Sequence, residues 1–313
     1  MKRTLEQWLA YQQQVHPRDI AMGLERVGEV FRRLSPGRPG RQVAVVGGTN
    51  GKGSTVAFLE AMARAAGLRV GAFTSPHLLR YNERIRIDGR DADDAALVEA
   101  FERIEAARGE IPLTYFEFGT LAALLLFAEA GLDLAILEVG LGGRLDAVNI
   151  IDGDVAIITT VDLDHQDYLG PDRESIGAEK AGILRAGKPC VLAEKDPPSS
   201  VLRRAYAIGA FAIRGHSDYL IDDLGVEGWR WREPGYEIVL PNPGLEAAQW
   251  LPQPGAAASL ALLPLRASPA DKVFGLLVLG STDPQRFHAG MGTDFLERIA
   301  ELASAALGRL TAD

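Results

Sequence analysis

Eight consecutive residues, Gly48-Thr49-Asn50-Gly51-Lys52-Gly53-Ser54-Thr55, gather three glycines, three hydroxyl side chains and a lysine. Between a strand and a helix, such a run lets backbone N–H groups cradle a phosphate, and its glycines permit close approach. There Lys52 neutralises the β- and γ-phosphates of a nucleotide, while Ser54 or Thr55 offers an oxygen to Mg²⁺. The run departs from the strict G-x-x-x-x-G-K-[ST] pattern, because Val46 holds the first glycine position and Gly53 follows the lysine. The alternative is a glycine-rich turn with an incidental lysine. The coincidence of strand, loop and helix favours nucleotide binding.

The flanking elements can be read from periodicity. Gln42-Val43-Ala44-Val45-Val46 is a short apolar, β-branched run, and Ser54–Ala66 is helical in pattern. Further strands are predicted over 69–75, 84–88, 132–139, 155–161, 190–193 and 211–214. Helices are predicted over 19–35, 92–108, 116–130, 174–185 and 199–208. Strands apolar on both faces and alternating with helices call for a parallel sheet covered on both sides, an α/β fold. Trp229-Arg230-Trp231-Arg232, Pro234-Gly235 and Tyr236–Leu240 predict a β-hairpin at the edge of that unit. Six prolines punctuate 241–269, which reads as a linker. Beyond it lie one predicted strand, 273–279, and one predicted helix, 293–310. These two elements are too few for a core of their own.

The chain has 313 residues and a formal net charge of −9, with 47% hydrophobic and 24% charged residues. This composition excludes a disordered chain and lacks the basic field of a general nucleic-acid or anionic-membrane binder. The longest apolar run, Leu121–Ala128, is far short of the ~20 residues that span a bilayer. The first residues lack the apolar stretch of a secretory signal, and the single cysteine, Cys190, permits no internal disulfide. A cytoplasmic location is the expectation. Only six of the 33 basic residues are lysines (Lys2, Lys52, Lys180, Lys188, Lys195 and Lys272), so each retained lysine invites a question about its role.

The loop is followed by Thr74-Ser75-Pro76-His77-Leu78, Tyr81-Asn82-Glu83-Arg84-Ile85, Tyr115-Phe116-Glu117-Phe118, Glu138–Ala147, Asp164–Gly170 and Glu179–Arg185. In this order the motifs resemble the folylpolyglutamate synthase/dihydrofolate synthase family, relatives of the Mur peptidoglycan ligases, over about residues 1–245. The resemblance implies a P-loop domain like the central domain of Mur ligases. It also implies an ATP- and Mg²⁺-dependent ligase that adds L-glutamate to dihydropteroate, folates or both through an acyl phosphate. By the same resemblance Lys52, His165 and Lys180 are catalytic, and Gly48 to Thr55 bind the nucleotide.

Ser75, Glu138 and His165 match the family's metal ligands, and each falls at or just past the end of a predicted strand, where open α/β sheets bind ligands. Glu138 also stands out unaided, because a carboxylate closing an apolar run needs a partner. Lys180 matches the lysine that becomes carbamylated and helps hold a second Mg²⁺. That reaction needs the neutral amine, yet an unperturbed lysine of pKa ~10.4 is only ~0.1% neutral near pH 7.4. Thr114, Phe116, Asp146 and Ala147 match positions that contact the pterin; Arg80, Tyr81, Asn82 and Arg84 lie in a segment expected to cover the folate, where the Arg84 guanidinium is a candidate to bind a carboxylate. Phe118 is expected in the core.

The family's second α/β domain and its Asp-x-Ala-His-Asn-Pro signature are not found after residue 240. Residues 270–313 resemble instead the closing strand and helix of a small GAF-like domain. The expected organisation is therefore an ATP-binding domain over 1–245, a linker over 246–269 and a GAF-like fragment over 270–313. Such a chain is expected to bind Mg-nucleotide and to ligate poorly. The alternatives are a catalytically defective nucleotide- or folate-binding protein, a GAF-like regulatory module, and a ligase of Mur-type muropeptide substrates.

Overall fold

The computed structural model describes residues 3–16, 21–224, 229–240, 258–266, 275–283, 286, 296, 298–301, 303 and 304. Two compact units divide at Asp218/Tyr219.

The first unit opens with α1 (Leu5–Val15) and α2 (Glu25–Leu34). Periodicity did not predict α1, although Thr4 and Gln7 form a reciprocal capping box at its start. The helix expected over 19–35 begins later, at Glu25. Gly23 has φ +138°, and its N–H donates to Leu145 O, so the chain enters α2 pinned in a non-helical conformation. Residues 17–20 lie outside the described residues.

Then come β1 (Gln42–Gly47), α3 (Lys52–Ala65), β2 (Val70–Phe73), β3 (Ile85–Ile87), β4 (Arg90–Asp91), α4 (Asp94–Arg108) and α5 (Tyr115–Ala130). The series continues with β5 (Leu134–Glu138), β6 (Val155–Ile158), α6 (Gln166–Leu169), α7 (Arg173–Lys180), β7 (Pro189–Leu192), α8 (Ser199–Ile208) and β8 (Phe211–Arg214). The sheet order is β4-β3-β2-β5-β1-β6-β7-β8. It is parallel from β2 to β8, and at one edge β3 runs antiparallel to its neighbours β2 and β4. The expected covered parallel sheet is present.

Alternation within β1 feeds two cores. Val43 and Val45 join the cluster that includes Phe118, Leu121 and Leu125 of α5, whereas Ala44 and Val46 join Val56 and Ala63 of α3. Each large apolar side chain so buried contributes roughly 1.5–3 kcal/mol. α5 is apolar nearly all round because Phe118 and every residue from Leu121 to Leu125 are fully buried. Register then sets the site: Val46 pairs with Glu138, Gly47 with Ile158 and Phe73 with Leu137. The carboxyl ends of four strands thus emerge side by side. β1 leaves toward β2 across β5, so the loops diverge at a switch point, the usual ligand crevice of open α/β sheets.

The second unit contains β9 (Leu220–Asp223), β10 (Trp229–Glu233) and β11 (Tyr236–Leu240), a three-stranded antiparallel sheet. The expected hairpin is β10–β11, turning at Pro234-Gly235, where Gly235 has φ +83°. It pairs with β9 in a sheet of its own rather than with the large sheet. Within the stretch read as a linker, Ser259–Leu265 is strand β12, antiparallel to β13 (Gly275–Ser281). Pro264 fits there because a two-stranded ribbon leaves one edge of each strand unpaired. Ala261 and Leu263 pack with Leu296 and Ile299, and residues 298–301 are helical within the expected helix 293–310. The rest of 241–257 and 267–274 lies outside the described residues.

Candidate functional site

The phosphate loop is where the sequence places it, between β1 and α3. Gly48 has φ +149° and Gly51, at the N-cap of α3, has φ +81°. A Cβ on Gly48 would overlap the Thr159 side chain. Backbone and hydroxyl contacts from the loop after β6 brace this turn: Thr49 N–H donates to Thr160 O at 2.8 Å and Asn50 N–H to Thr160 Oγ1 at 3.0 Å, while the Thr159 hydroxyl donates to Asn50 O at 2.6 Å. Lys52 folds back and donates to Gly48 O (2.9 Å) and Thr49 O (3.1 Å). Of the two candidate hydroxyls, Thr55 donates to Gly51 O at 2.9 Å, whereas Ser54 is exposed.

Glu138, at the end of β5, is 3% exposed. Its Oε2 accepts the Ser75 N–H at 3.2 Å and lies 3.8 Å from where a Cβ on Gly53 would sit, so the carboxylate faces the loop. Burial pushes its pKa up, against the opposing pull of the Ser75 N–H, Lys52, Arg86 and Arg84. Lys180, at the end of α7, is also buried; desolvation, assisted by the Lys52 charge and opposed by Asp164, lowers its pKa to about 8. A lysine of that pKa is roughly one-fifth neutral at pH 7.4. His165 has φ +46°, and its Nε2 lies 3.6 Å from Asp164 Oδ1.

A cavity of about 440 Å³ opens beside these groups. It brings together Arg84, Thr114, Phe116, Asp146 and Ala147, and Ser75 and His165 share its wall. Glu138, Lys52 and Lys180 do not line it. Thr114 caps α5, accepting the Glu117 N–H at 3.2 Å, and Glu117 returns the bond from Thr114 N–H at 2.7 Å while pairing with Arg26 at 3.0 Å. Phe116, next in the helix, lays its ring so close to Gly140 that a Cβ there would meet it at 2.6 Å. Asp146 Oδ2 accepts Leu141 N–H at 2.8 Å and Oδ1 accepts Val148 N–H at 3.0 Å. Burial nonetheless raises its pKa to about 6. Arg84 Nε donates to His77 Nδ1 at 2.8 Å, and its guanidinium lies 5.5 Å from the Tyr81 and Tyr115 ring centres.

Other members of segment 80–84 face elsewhere. Tyr81 packs in the core against Phe101, Asn82 donates to Ala92 O and Asp94, and Arg80 pairs with Asp94. Phe118 is fully buried, as expected. Sequence reasoning missed Gln12, Gln13, Tyr115 and Leu141, which also line the cavity. The Thr4–Gln7 capping box was the one signal for the helix carrying Gln12 and Gln13.

Among the described residues no three His, Cys, Asp or Glu side chains form a metal cage. The oxygen donors Ser75 and Glu138 beside the loop fit Mg²⁺, which retains waters and shares substrate phosphates instead of filling an all-protein cage, whereas the His165 nitrogen is a less usual ligand for so hard an ion. The buried Glu138 carboxylate, aimed at the loop, would supply the compensating anion.

Glycine-rich loop, switch point and strand-end carboxylate define an α/β domain of the P-loop type. The chain belongs to the Mur ligase middle domain family, which it matches over residues 46–209. Residues 246–312 match a protein family of unknown function, DUF484. The chain is 48% identical over 259 residues to the dihydrofolate synthase/folylpolyglutamate synthase of Escherichia coli, covering 83% of this chain and 60% of that protein. Its identity to the Haemophilus influenzae counterpart is 45%, over 79% of this chain and 59% of that protein. The chain thus spans about 60% of these relatives' length. It superposes on E. coli FolC in complex with DHPP and ADP with a TM-score of 0.75 at 47% identity, covering 81% of this chain and 60% of the other. A Yersinia pestis bifunctional folylpolyglutamate synthase/dihydrofolate synthase complexed with AMPPNP and Mn ion gives a TM-score of 0.73 at 51% identity, covering 78% and 59%. No helix among the described residues is long and apolar enough to cross a membrane.

Proposed function

We propose that this chain carries the nucleotide and pterin sites of an ATP-dependent ligase that joins L-glutamate to dihydropteroate, folates or both, in the cytoplasm. The observation that carries the reading is the cavity itself. An aromatic ring, a helix-capping threonine, a buried carboxylate and an arginine converge within one opening whose wall also holds Ser75 and His165. The relatives named above, one bound to DHPP and ADP, support it.

In this reading Gly48–Thr55 hold the triphosphate and Lys52 leaves its carbonyl contacts for the phosphates. Ser75, Glu138 and His165 would hold Mg²⁺, joined by Lys180 once its neutral amine has added CO₂ and lost a proton to give a carbamate, which the lowered amine pKa favours. Mg²⁺, when bound, neutralises charge on the transferring phosphoryl group. Thr114, Phe116, Asp146 and Ala147 grip the flat heterocycle, and Arg84 holds a carboxylate. The substrate carboxylate takes the γ-phosphoryl group of ATP to give an acyl phosphate. The glutamate amine then attacks the acyl carbon and phosphate departs. The work of the protein is alignment and charge compensation. We assign the ATP-binding domain to residues 1–245 and a GAF-like segment to 270–313, to which Ser259–Leu265 of the stretch read as a linker, 246–269, also belongs because β12 pairs with β13.

Incubation with ATP, Mg²⁺, L-glutamate and dihydropteroate should release phosphate only when all four are present, with product gaining the mass of one glutamyl residue. Phosphate release indifferent to the pterin overturns the substrate assignment; Mg-ATP binding without any product leaves a binding protein.

A further inference from the structure

Arg84 lines the cavity with one of its three nitrogens committed. Nε donates to His77 Nδ1 at 2.8 Å, whereas Nη1 and Nη2 make no hydrogen bond among the described residues, and neither is sealed from solvent. A guanidinium can take a carboxylate two-pronged along either of two edges, Nε with one terminal nitrogen or the two terminal nitrogens together. His77 fills the first edge, which leaves the second for a ligand. The acceptor is itself held. His77 does not line the cavity; its ring packs 5.9 Å from that of Tyr81, and the Glu83 carboxylate accepts the next three backbone N–H groups, Leu78 at 2.7 Å, Leu79 at 2.9 Å and Arg80 at 2.7 Å. Glu83 thus ties down the loop that carries His77, and His77 in turn fixes the guanidinium of the residue beside Glu83. A side chain held before the ligand arrives loses less freedom on binding than one still free to move.

We infer that His77 is a positioning residue: it holds Arg84 by Nε so that the two terminal nitrogens grip the substrate carboxylate end-on. The inference deepens the proposed function and rests on its reading of Arg84 as the carboxylate holder. It makes the imidazole an acceptor with its hydrogen on Nε2, and it makes His77 matter only to ligands that bring a carboxylate.

The test titrates the full chain, without nucleotide or metal, with dihydropteroate and with its descarboxy analogue, which ends in an unsubstituted phenyl ring. The parent should prefer dihydropteroate by about tenfold or more, the worth of hydrogen bonds between charged groups. His77→Phe keeps a ring against Tyr81 and removes the acceptor, so the preference should drop about three- to fivefold while affinity for the analogue holds. His77→Asn offers an amide oxygen in place of Nδ1 and should restore the preference. A histidine with a structural role alone would weaken both pterins alike, and that result overturns the inference. So does an unchanged preference in His77→Phe, or one equally low in His77→Asn. His77→Leu, a second acceptor-free variant, replaces His77→Phe should the latter fail to fold. A parent that binds both pterins equally takes the carboxylate away from Arg84 and this role with it, whereas one that binds neither overturns the pterin reading of the cavity.

Discussion

The phosphate loop and the cavity beside it are built by opposite means. Loop 48–51 is backbone: its shape depends on positive φ at Gly48 and Gly51 and on contacts from Thr159 and Thr160. The cavity is made of side chains from α1, the start of α5, the loop after β5 and Arg84. A backbone site is sensitive to any added atom and indifferent to most chemistry. A side-chain site can be retuned one residue at a time. Substitutions in the loop should therefore remove nucleotide binding and stability together, whereas substitutions in the cavity should separate pterin affinity from both.

The largest effect is expected from Gly48→Ala. The new Cβ would strike the Thr159 side chain, and a residue other than glycine is strained at φ +149°. Chemical denaturation should show a loss of about 3 kcal/mol or more, and Mg-ATP binding should disappear. A variant of parental stability breaks the claim that the loop is a fixed backbone device.

Glu138→Gln sharpens the comparison from the metal side. The substitution keeps shape and removes charge, so affinity for ATP in the presence of Mg²⁺ should fall on the order of 100-fold, about 2.7 kcal/mol, with metal-free ATP binding little changed. Stability should hold or rise, because burial already penalises this carboxylate. Equal losses with and without Mg²⁺ would remove Glu138 from the metal site.

The same division governs what could be read from the sequence. β1, the loop and α3 are contiguous, so apolar run, glycines and helix pattern suffice to locate them. Glu138 is visible as a carboxylate closing an apolar strand. The cavity is different: Gln12, Thr114 and Asp146 are brought together by sheet order and helix packing, which no short window encodes. Thr114, Phe116, Asp146 and Ala147 were legible only through resemblance to a family. The near-contact of Phe116 with Gly140 depends on how α5 packs against the loop after β5, and α1 escaped notice because its buried face includes the polar Gln12 beside Trp8. β12 was hidden by Pro264, which an edge position tolerates.

Phe116→Ala should weaken dihydropteroate binding by roughly 10- to 100-fold, since an aromatic stacking face is worth about 1–3 kcal/mol, and leave Mg-ATP affinity unchanged. Isothermal titration with each ligand checks the split. A parallel loss of ATP affinity would mean that the two halves are not separable.

Asp146 supplies a pH test. Its pKa is about 6 in the folded chain, against roughly 3.9 for a free aspartate. Between those values the folded state binds more protons than the unfolded state, so this residue makes stability fall as pH rises from about 4 to 6. In Asp146→Asn that slope should be absent, although the amide can accept only one of the Leu141 and Val148 N–H bonds, at a cost of about 1–3 kcal/mol. Relative to the parent, the variant should thus be least stable near pH 4 and recover toward pH 6. Urea unfolding across that range measures the difference, and a flat difference curve would show that Asp146 is not held neutral by burial.

The smallest effect is expected from Arg84→Lys. Lysine keeps the positive charge at the cavity but loses the planar group that lies between the Tyr81 and Tyr115 rings and donates to His77 Nδ1. The pKa of His77 is lowered by burial first and by the Arg84 charge second, so a retained charge should leave that imidazole mostly neutral and its surroundings intact. What changes is the two-pronged grip on a carboxylate, and KM for the pterin substrate should rise about three- to tenfold with kcat and KM for ATP unchanged. A change confined to kcat would place Arg84 at the reacting carboxyl instead of in the substrate grip, and a shift in KM for ATP would carry its influence across to the loop.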